Sequence, residues 1–169
     1  CMMYHTEYAD NGMQKMSVLP IRQGNLFFSK FVIAALVLSA MVVIEMAVLV
    51  GCAEYWFPGY LFDLTEILKT AGFQIVVSLP TVMLMLVIAS ACKNMWVSLG
   101  IGVILVFTLS IFPQDNTVLS LFPFASPYQT LAGAIENSRT ALFSVVCGIE
   151  TGVFVIAEVL YLKVRRCFE

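Results

Sequence analysis

Four long apolar runs separated by short polar stretches dominate the chain. They are residues 31–50, 73–92, 95–112 and 141–162, and none of them contains Lys, Arg or Asp. A bilayer core of about 30 Å is crossed by about 20 helical residues. The pattern therefore predicts an all-α, polytopic transmembrane helix bundle with four spans, joined by outer connections at 51–72 and 113–140.

The composition excludes most soluble classes of protein. Apolar residues make up 60% of the chain and charged residues 12%, the net charge is −2, and the mean hydropathy is +0.93. Soluble domains carry about 25% charged residues. These values argue against a soluble enzyme or a nucleic-acid binder. Four buried helices of a soluble core are excluded as well, because no amphipathic shell is present to cover them.

The positions of the basic residues predict the orientation in the membrane. Lys93 and Asn94 form the polar break between the second and third runs, which predicts a tight hairpin there. Alternation then places both chain termini on one side. Basic residues mark the cytoplasmic side of membrane proteins, so we expect both termini to be cytoplasmic. Seven of the nine basic residues fall on that side: Lys15, Arg22, Lys30, Lys93, Lys163, Arg165 and Arg166.

Both outer connections contain helix signals. Asp63 and Glu66 have the spacing of a capping box, and the apolar stripe that follows predicts a short helix lying in the membrane interface. In the second connection, Ser126 and Pro127 suit the N-cap and first turn of a helix running through 128–132. The apolar residues around that pair fit a segment dipping back toward the membrane, and a plain external loop remains open.

Three acidic residues fall inside the apolar runs: Glu45, Glu150 and Glu158. A central intramembrane charge costs about 2.5–3.5 kcal/mol on insertion scales, so such residues mark candidate functional positions. Glu150 lies near the middle of the last span, where a proton-coupling or helix-pairing role and a protonated structural role are both open. For Glu45 and Glu158, nearer the span ends, a structural role is the preferred interpretation.

Small residues in the last span predict a helix-packing surface. Ser144, Gly148 and Thr151 recur at helical spacing on one face with Glu158, and Gly148 and Gly152 form a GxxxG pair on its edge. Small residues let helix backbones approach closely. We expect this face to hold the bundle together, with Glu150 pointing elsewhere.

The sequence offers no constellation for catalysis or cofactor binding. His5 is the single histidine, and the five cysteines form no CxxC pair. No GxxxxGK[ST] motif occurs, so we expect no P-loop for ATP. The sequence predicts neither catalytic residues nor a metal site, and ATP would have to be bound by a partner subunit.

The polar N-terminal stretch carries a resemblance to a known family. It contains Met13, Met16 and Val18, which are too apolar for a free tail, and it turns at Pro20 before the first span. The run resembles the cytoplasmic connection of type-2 ATP-binding-cassette (ABC) transporter permeases, above all the bacterial group concerned with immunity to and export of lantibiotics and other antimicrobial peptides. The matching positions are Glu7, Tyr8, Asn11, Lys15, Leu19, Pro20, Ile21, Arg22, Phe28, Ser29, Lys30 and Phe31.

The resemblance implies a role for residues 1–30 and a set of partners. In this family the connection forms a coupling helix that docks on the ATP-binding subunit, and here Glu7, Asn11, Lys15 and 19–22 would occupy it. The implied protein is an exporter permease in the bacterial plasma membrane, paired with a second copy or a sister permease. Family subunits have six spans, two of them before the coupling helix. We therefore expect 31–169 to be the last four spans and the first two to be missing.

A second function remains open from the residues alone. The chain would then be a four-span membrane protein acting without ATP, such as a small carrier or an assembly or anchoring protein. A neighbouring ATPase gene would favour the permease.

Overall fold

The structure is a computed structural model of the 169-residue chain and describes residues 23–56, 63–92, 94–111, 120–136 and 139–168. Across these ranges the regular structure is helical, without strands. The all-α helix bundle predicted from the sequence is confirmed. Its elements are α1 (Gln23–Trp56), α2 (Leu64–Ala91), α3 (Met95–Ile111), a single 3-10 turn (Ser126–Tyr128), α4 (Leu131–Glu136) and α5 (Thr140–Phe168).

Three of these helices are long and apolar enough to cross a membrane, namely α1, α2 and α5. The remaining predicted span, 95–112, corresponds to α3, which has 17 residues. At 1.5 Å per residue α3 is about 25 Å long, slightly less than a bilayer core, whereas the 34 residues of α1 extend to about 50 Å.

Helix α2 is the centre of the bundle. It contacts α1, α3, α4, α5 and the 3-10 turn. In its most apolar stretch 39% of the residues are buried, against 6% for α1 and 17% for α5. The helices around α2 therefore keep most of their apolar surface on the outside of the described bundle, where lipid or another membrane protein would cover it.

Two apolar clusters fix the directions of the three long helices. The first, which we call the α2 C-terminal cluster, joins the start of α1 to the end of α2 and the end of α5. The second, the α2 N-terminal cluster, joins the start of α2 to the start of α5 and to α4. Helices α2 and α5 are therefore parallel to each other and antiparallel to α1, so that the beginning of α1 and the last turns of α2 and α5 lie at one end. The buried members are Phe27, Met83, Leu86, Ala89 and Leu162 in the first cluster, and Phe73, Val77, Leu131, Phe143 and Cys147 in the second.

The helix start predicted at Asp63 is confirmed, but the prediction of a separate interface helix is wrong. The Asp63 side chain caps α2 by accepting from the backbone N–H of Thr65 at 2.9 Å, and this bond holds the pKa of Asp63 below its usual range. The Glu66 carboxylate pairs with Lys69 at 2.9 Å. No break follows, because Gly72 remains inside the helix, and the predicted interface helix is simply the first two turns of α2.

The helix predicted to start at Ser126 and Pro127 is also different in the structure, because of tertiary contacts. Ala125, not Ser126, is the N-cap of the 3-10 turn, and the backbone becomes extended at Gln129 (φ −76°, ψ 127°). The helix expected through 128–132 therefore stops, and α4 begins at Leu131. The Ser126 hydroxyl does not cap the turn, because it donates to the Val77 carbonyl of α2 at 3.0 Å.

Candidate functional site

The predicted coupling positions, Glu7, Asn11, Lys15 and 19–22, lie outside the described residues. The structure does describe the start of α1, immediately after them. Phe27 is 2% exposed there and packs in the α2 C-terminal cluster, and Gly24 lies near Val159 of α5. The chain that follows the predicted coupling segment is therefore in firm contact with both α2 and α5.

Glu158 is the most deeply buried of the three intramembrane acids, with 1% of its surface exposed. Its Oε1 accepts a hydrogen bond from the Ser90 hydroxyl of α2 at 2.5 Å. Ser90 is also 1% exposed, and both residues lie beside the α2 C-terminal cluster. This polar contact ties α5 to α2 at the end where α1 begins.

Glu150 lies on α5 at the edge of the face that packs on α2. The residue is half-buried, and its Oε2 is buried with no hydrogen-bond partner among the described residues. Glu150 is therefore less enclosed than Glu158, although one of its carboxylate oxygens is buried. Proton coupling through Glu150 stays a prediction.

Glu45 has the opposite environment to Glu158. It lies on the exposed surface of α1, where large apolar side chains such as Met41 and Val48 are also more than half exposed. In a membrane this acid would face lipid or another protein chain.

The glycine pair of α5 does not pack against another described helix. Gly148 and Gly152 are exposed, and a Cβ added at either position meets nothing within 4 Å. The hydroxyls of Ser144 and Thr151 donate within α5, to the carbonyls of Thr140 (2.9 Å) and Cys147 (2.7 Å). The packed face of α5 runs instead through Phe143, Cys147, Phe154, Glu158 and Leu162.

The structure adds a polar seam that the sequence analysis missed, between α2 and the segment 120–130. Ser126 donates to the Val77 carbonyl, Thr81 donates to the Pro123 carbonyl, and the Gln74 side-chain amide donates to the Pro127 carbonyl at 2.9 Å.

The seam reaches the middle of α2, close to its proline. Pro80 has no N–H group to donate to the Val76 carbonyl four residues earlier, and the neighbouring Val77 carbonyl accepts from Ser126. Phe124, 1% exposed, packs further along α2 against Leu84, Met85 and Ile88. This burial favours the dipping segment over the external loop. In the sequence, Pro80 next to hydroxyl residues was the signal that could have predicted this seam.

Among the described residues no group of three or more His, Cys, Asp or Glu is placed to hold a metal ion. The described cysteines, Cys52, Cys92 and Cys147, are free thiols.

One comparison with known proteins gives a match. Residues 1–109 match the family described as ABC-2 family transporter protein. They include the predicted coupling segment and helices α1 and α2. No curated protein and no solved structure matches the chain.

Proposed function

The chain belongs to the ABC-2 transporter family and is a multi-pass membrane permease of an ABC transporter, and from this premise we propose that it works as the membrane subunit of an ATP-driven exporter. A separate ATP-binding subunit would supply the energy. The observation that carries the proposal is the family match, which includes residues 7–22.

The packing at the start of α1 supports a route for mechanical coupling. Arg22 ends the proposed coupling segment, and Phe27 lies five residues further along the chain. Phe27 contacts the ends of both α2 and α5. Because close-packed interiors transmit displacement rather than absorb it, a push on residues 7–22 would move three long helices together.

The exposed surfaces of α1 and α5 support the proposed partnership with a second permease, either another copy or a sister chain. Glu45 lies on the exposed surface of α1, and Gly148 and Gly152 leave open space on α5. An acid and a small-residue pair are features that helix–helix contacts in membranes use. We further propose that both termini are cytoplasmic, in a bacterial plasma membrane.

The coupling proposal is tested by replacing 19–22 with four alanines. We expect the tagged variant to lose co-purification with a P-loop ATPase from its own membranes, and to lose ATP-driven export in proteoliposomes. Glu54→Ala, on the exposed end of α1, is the control and retains both. Unchanged association and transport in the quadruple variant would refute the coupling assignment. Transport without ATP would favour the four-span carrier instead.

The proposed substrate class, antimicrobial peptides, rests on the resemblance to lantibiotic-immunity permeases. Expression of the chain with its ATPase partner in a sensitive bacterium should raise the lantibiotic concentration needed to stop growth, measured with nisin. A partner subunit disabled in ATP hydrolysis is the control. Equal sensitivity with active and disabled partners would remove nisin-like peptides from the proposal.

A further inference from the structure

An open cavity of about 410 Å³ lies between α2, α4 and α5, at the end of the bundle away from the start of α1. Its volume falls within the range of about 300–1,000 Å³ typical of small-molecule sites. Each of the three helices contributes residues from one face. None of the three intramembrane acids is among its described lining residues.

The buried part of the lining is apolar, because Phe73 and Leu131 are 7% and 8% exposed, whereas the exposed Lys69 marks the rim. Phe73, Val76, Leu131 and Ile135 provide the apolar wall, and Lys69 is the charged residue among the described lining. Lys69 and Val76 are seven residues apart on one helix, so their backbone positions are separated by about 10 Å along the helix axis.

The Lys69 ammonium group can bind a second anionic group besides Glu66. One of its N–H groups donates to Glu66, but both side chains are about 60% exposed. Exposed ion pairs of this kind contribute about 0–1 kcal/mol, so the pair is easily rearranged. An ammonium group has three donors, and a ligand carboxylate at the rim would use those that remain.

We infer that this cavity binds a single-chain amphipathic anion of the fatty-acid type, with its alkyl chain along Phe73 and Val76 and its carboxylate at Lys69. The charge at the rim complements the head group, and the apolar wall complements the chain. The limited volume favours one alkyl chain over the two of a membrane phospholipid. The inference goes beyond the proposed transport role, because binding needs neither ATP nor a partner subunit.

The experiment uses the full chain in nanodiscs and a dodecanoic acid that carries a photoreactive diazirine. After irradiation, labelled residues are mapped by mass spectrometry. We expect saturable labelling around Phe73 and Leu131, at least fivefold above that of the methyl ester. Labelling of α1 from the lipid phase is non-saturable and serves as the internal control, because α1 is largely exposed.

Gly72 offers a variant that blocks the cavity without removing a contact. It lines the cavity, and a Cβ added there meets nothing within 4 Å. We expect Gly72→Leu to reduce cavity labelling at least fivefold with α1 labelling unchanged. The same substitution at Gly51, which also has open space, is the matched control and leaves both unchanged. Equal cavity labelling in Gly72→Leu and wild type would overturn the inference.

Two charge variants test the head-group contact in opposite directions. Lys69→Gln should lower labelling by the acid to the level of the ester, and Glu66→Gln, which removes the competing carboxylate, should raise it about twofold. Unlabelled dodecanoate should displace the probe. Equal displacement by a two-chain phosphatidylglycerol would overturn the single-chain assignment, and labelling insensitive to both charge variants would overturn the role of Lys69.

Discussion

Residues of the same type inside the apolar helices differ in their burial and therefore in their contacts. Glu158 is enclosed and accepts from Ser90, while Glu45 projects from the exposed side of α1. Glycines differ in the same way. A Cβ at Gly102 of α3 would lie 2.6 Å from the Sδ and Cε atoms of Met85, whereas one at Gly100 meets nothing. Neither difference is visible in the residue type.

Ser90→Ala should destabilise the contact between α2 and α5. It removes an interhelical hydrogen bond to a buried acid, and such bonds in membrane proteins contribute about 1 kcal/mol. We expect a lower midpoint of thermal unfolding in detergent. Ser78→Ala is the control, since the Ser78 hydroxyl donates within α2 to Gln74, and its midpoint should stay closer to wild type. Equal midpoints for the two variants would contradict the bridging role of Ser90.

Gly102→Leu should displace the flexible end of Met85 and loosen the packing of α3 on α2, because the new side chain needs the space of the Met85 thioether. Overpacking of this kind costs about 1–3 kcal/mol. The matched control is Gly100→Leu, two residues away in the same helix, which should unfold at the wild-type temperature. The check is the unfolding midpoint in detergent. A Gly102→Leu protein as stable as Gly100→Leu would show that the contact of Gly102 with Met85 does not hold α3 to α2.

Elements in this bundle are held to α2 by a few specific polar groups as well as by apolar packing. The segment 120–130 is the clearest case, since Ser126, Phe124 and the carbonyls of its two prolines all contact α2. In an apolar environment an unsatisfied backbone carbonyl is costly. These bonds therefore allow non-helical chain to lie at the depth of a membrane helix.

Ser126→Ala should loosen this segment without unfolding the bundle. The lost bond to the Val77 carbonyl is buried, and its removal should cost about 1–3 kcal/mol locally. Hydrogen exchange of the amides at 124–129 should accelerate, while those of α1 keep their protection. Ser144→Ala removes only a bond within α5 and is the control. Unchanged exchange at 124–129 would mean that the Ser126 bond does not hold the segment.

Phe27→Ala should separate ATP hydrolysis from transport. The substitution empties a buried position that joins α1 to α2 and α5, whereas the neighbouring Phe28 is 56% exposed. Large-to-small changes at buried positions cost about 3–5 kcal/mol for phenylalanine. We expect the complex still to hydrolyse ATP but to export several-fold less substrate per ATP. Phe28→Ala should keep the wild-type ratio. An equal ratio in both variants would argue against coupling through Phe27.

The whole bundle, as far as the structure describes it, leaves more large apolar side chains exposed than buried. Helix α1 has 6% of its most apolar stretch buried, and α5 carries its glycine pair on the open side. A bilayer covers the apolar part of this surface, and a second permease is the partner that we propose for Glu45 and the glycines. Isolated in water, the described bundle would be strongly aggregation-prone.

Replacing both Gly148 and Gly152 with Leu should disrupt permease pairing. Neither new side chain meets an atom of the described chain at its Cβ, so the subunit itself should unfold at a temperature near that of wild type. The stoichiometry in nanodiscs, counted by single-molecule photobleaching, should shift from two copies, or one copy and one sister chain, to one. Gly51→Leu is the control. A persistent pair would place the contact elsewhere.

The sequence by itself determined the helical membrane fold and the family. Uncharged runs as long as 73–92 have no alternative to spanning helices in a bilayer, because every backbone polar group must be satisfied internally. The coupling-like motif at 19–22 lies within the matched region. Local signals also located Asp63 as a helix cap correctly, since a cap depends on neighbours in sequence.

Only the tertiary structure decided which faces pack and which polar groups meet. The spacing of Ser144 and Gly148 suggested one face of α5, but the contact with α2 runs through Phe143, Cys147 and Glu158. The spacing of apolar residues is a weak signal in a helix that is apolar on every face, because each face is equally stable against lipid. The pairing of Ser90 with Glu158 and of Ser126 with Val77 joins residues far apart in the chain, and only the packing of α2 brings them together.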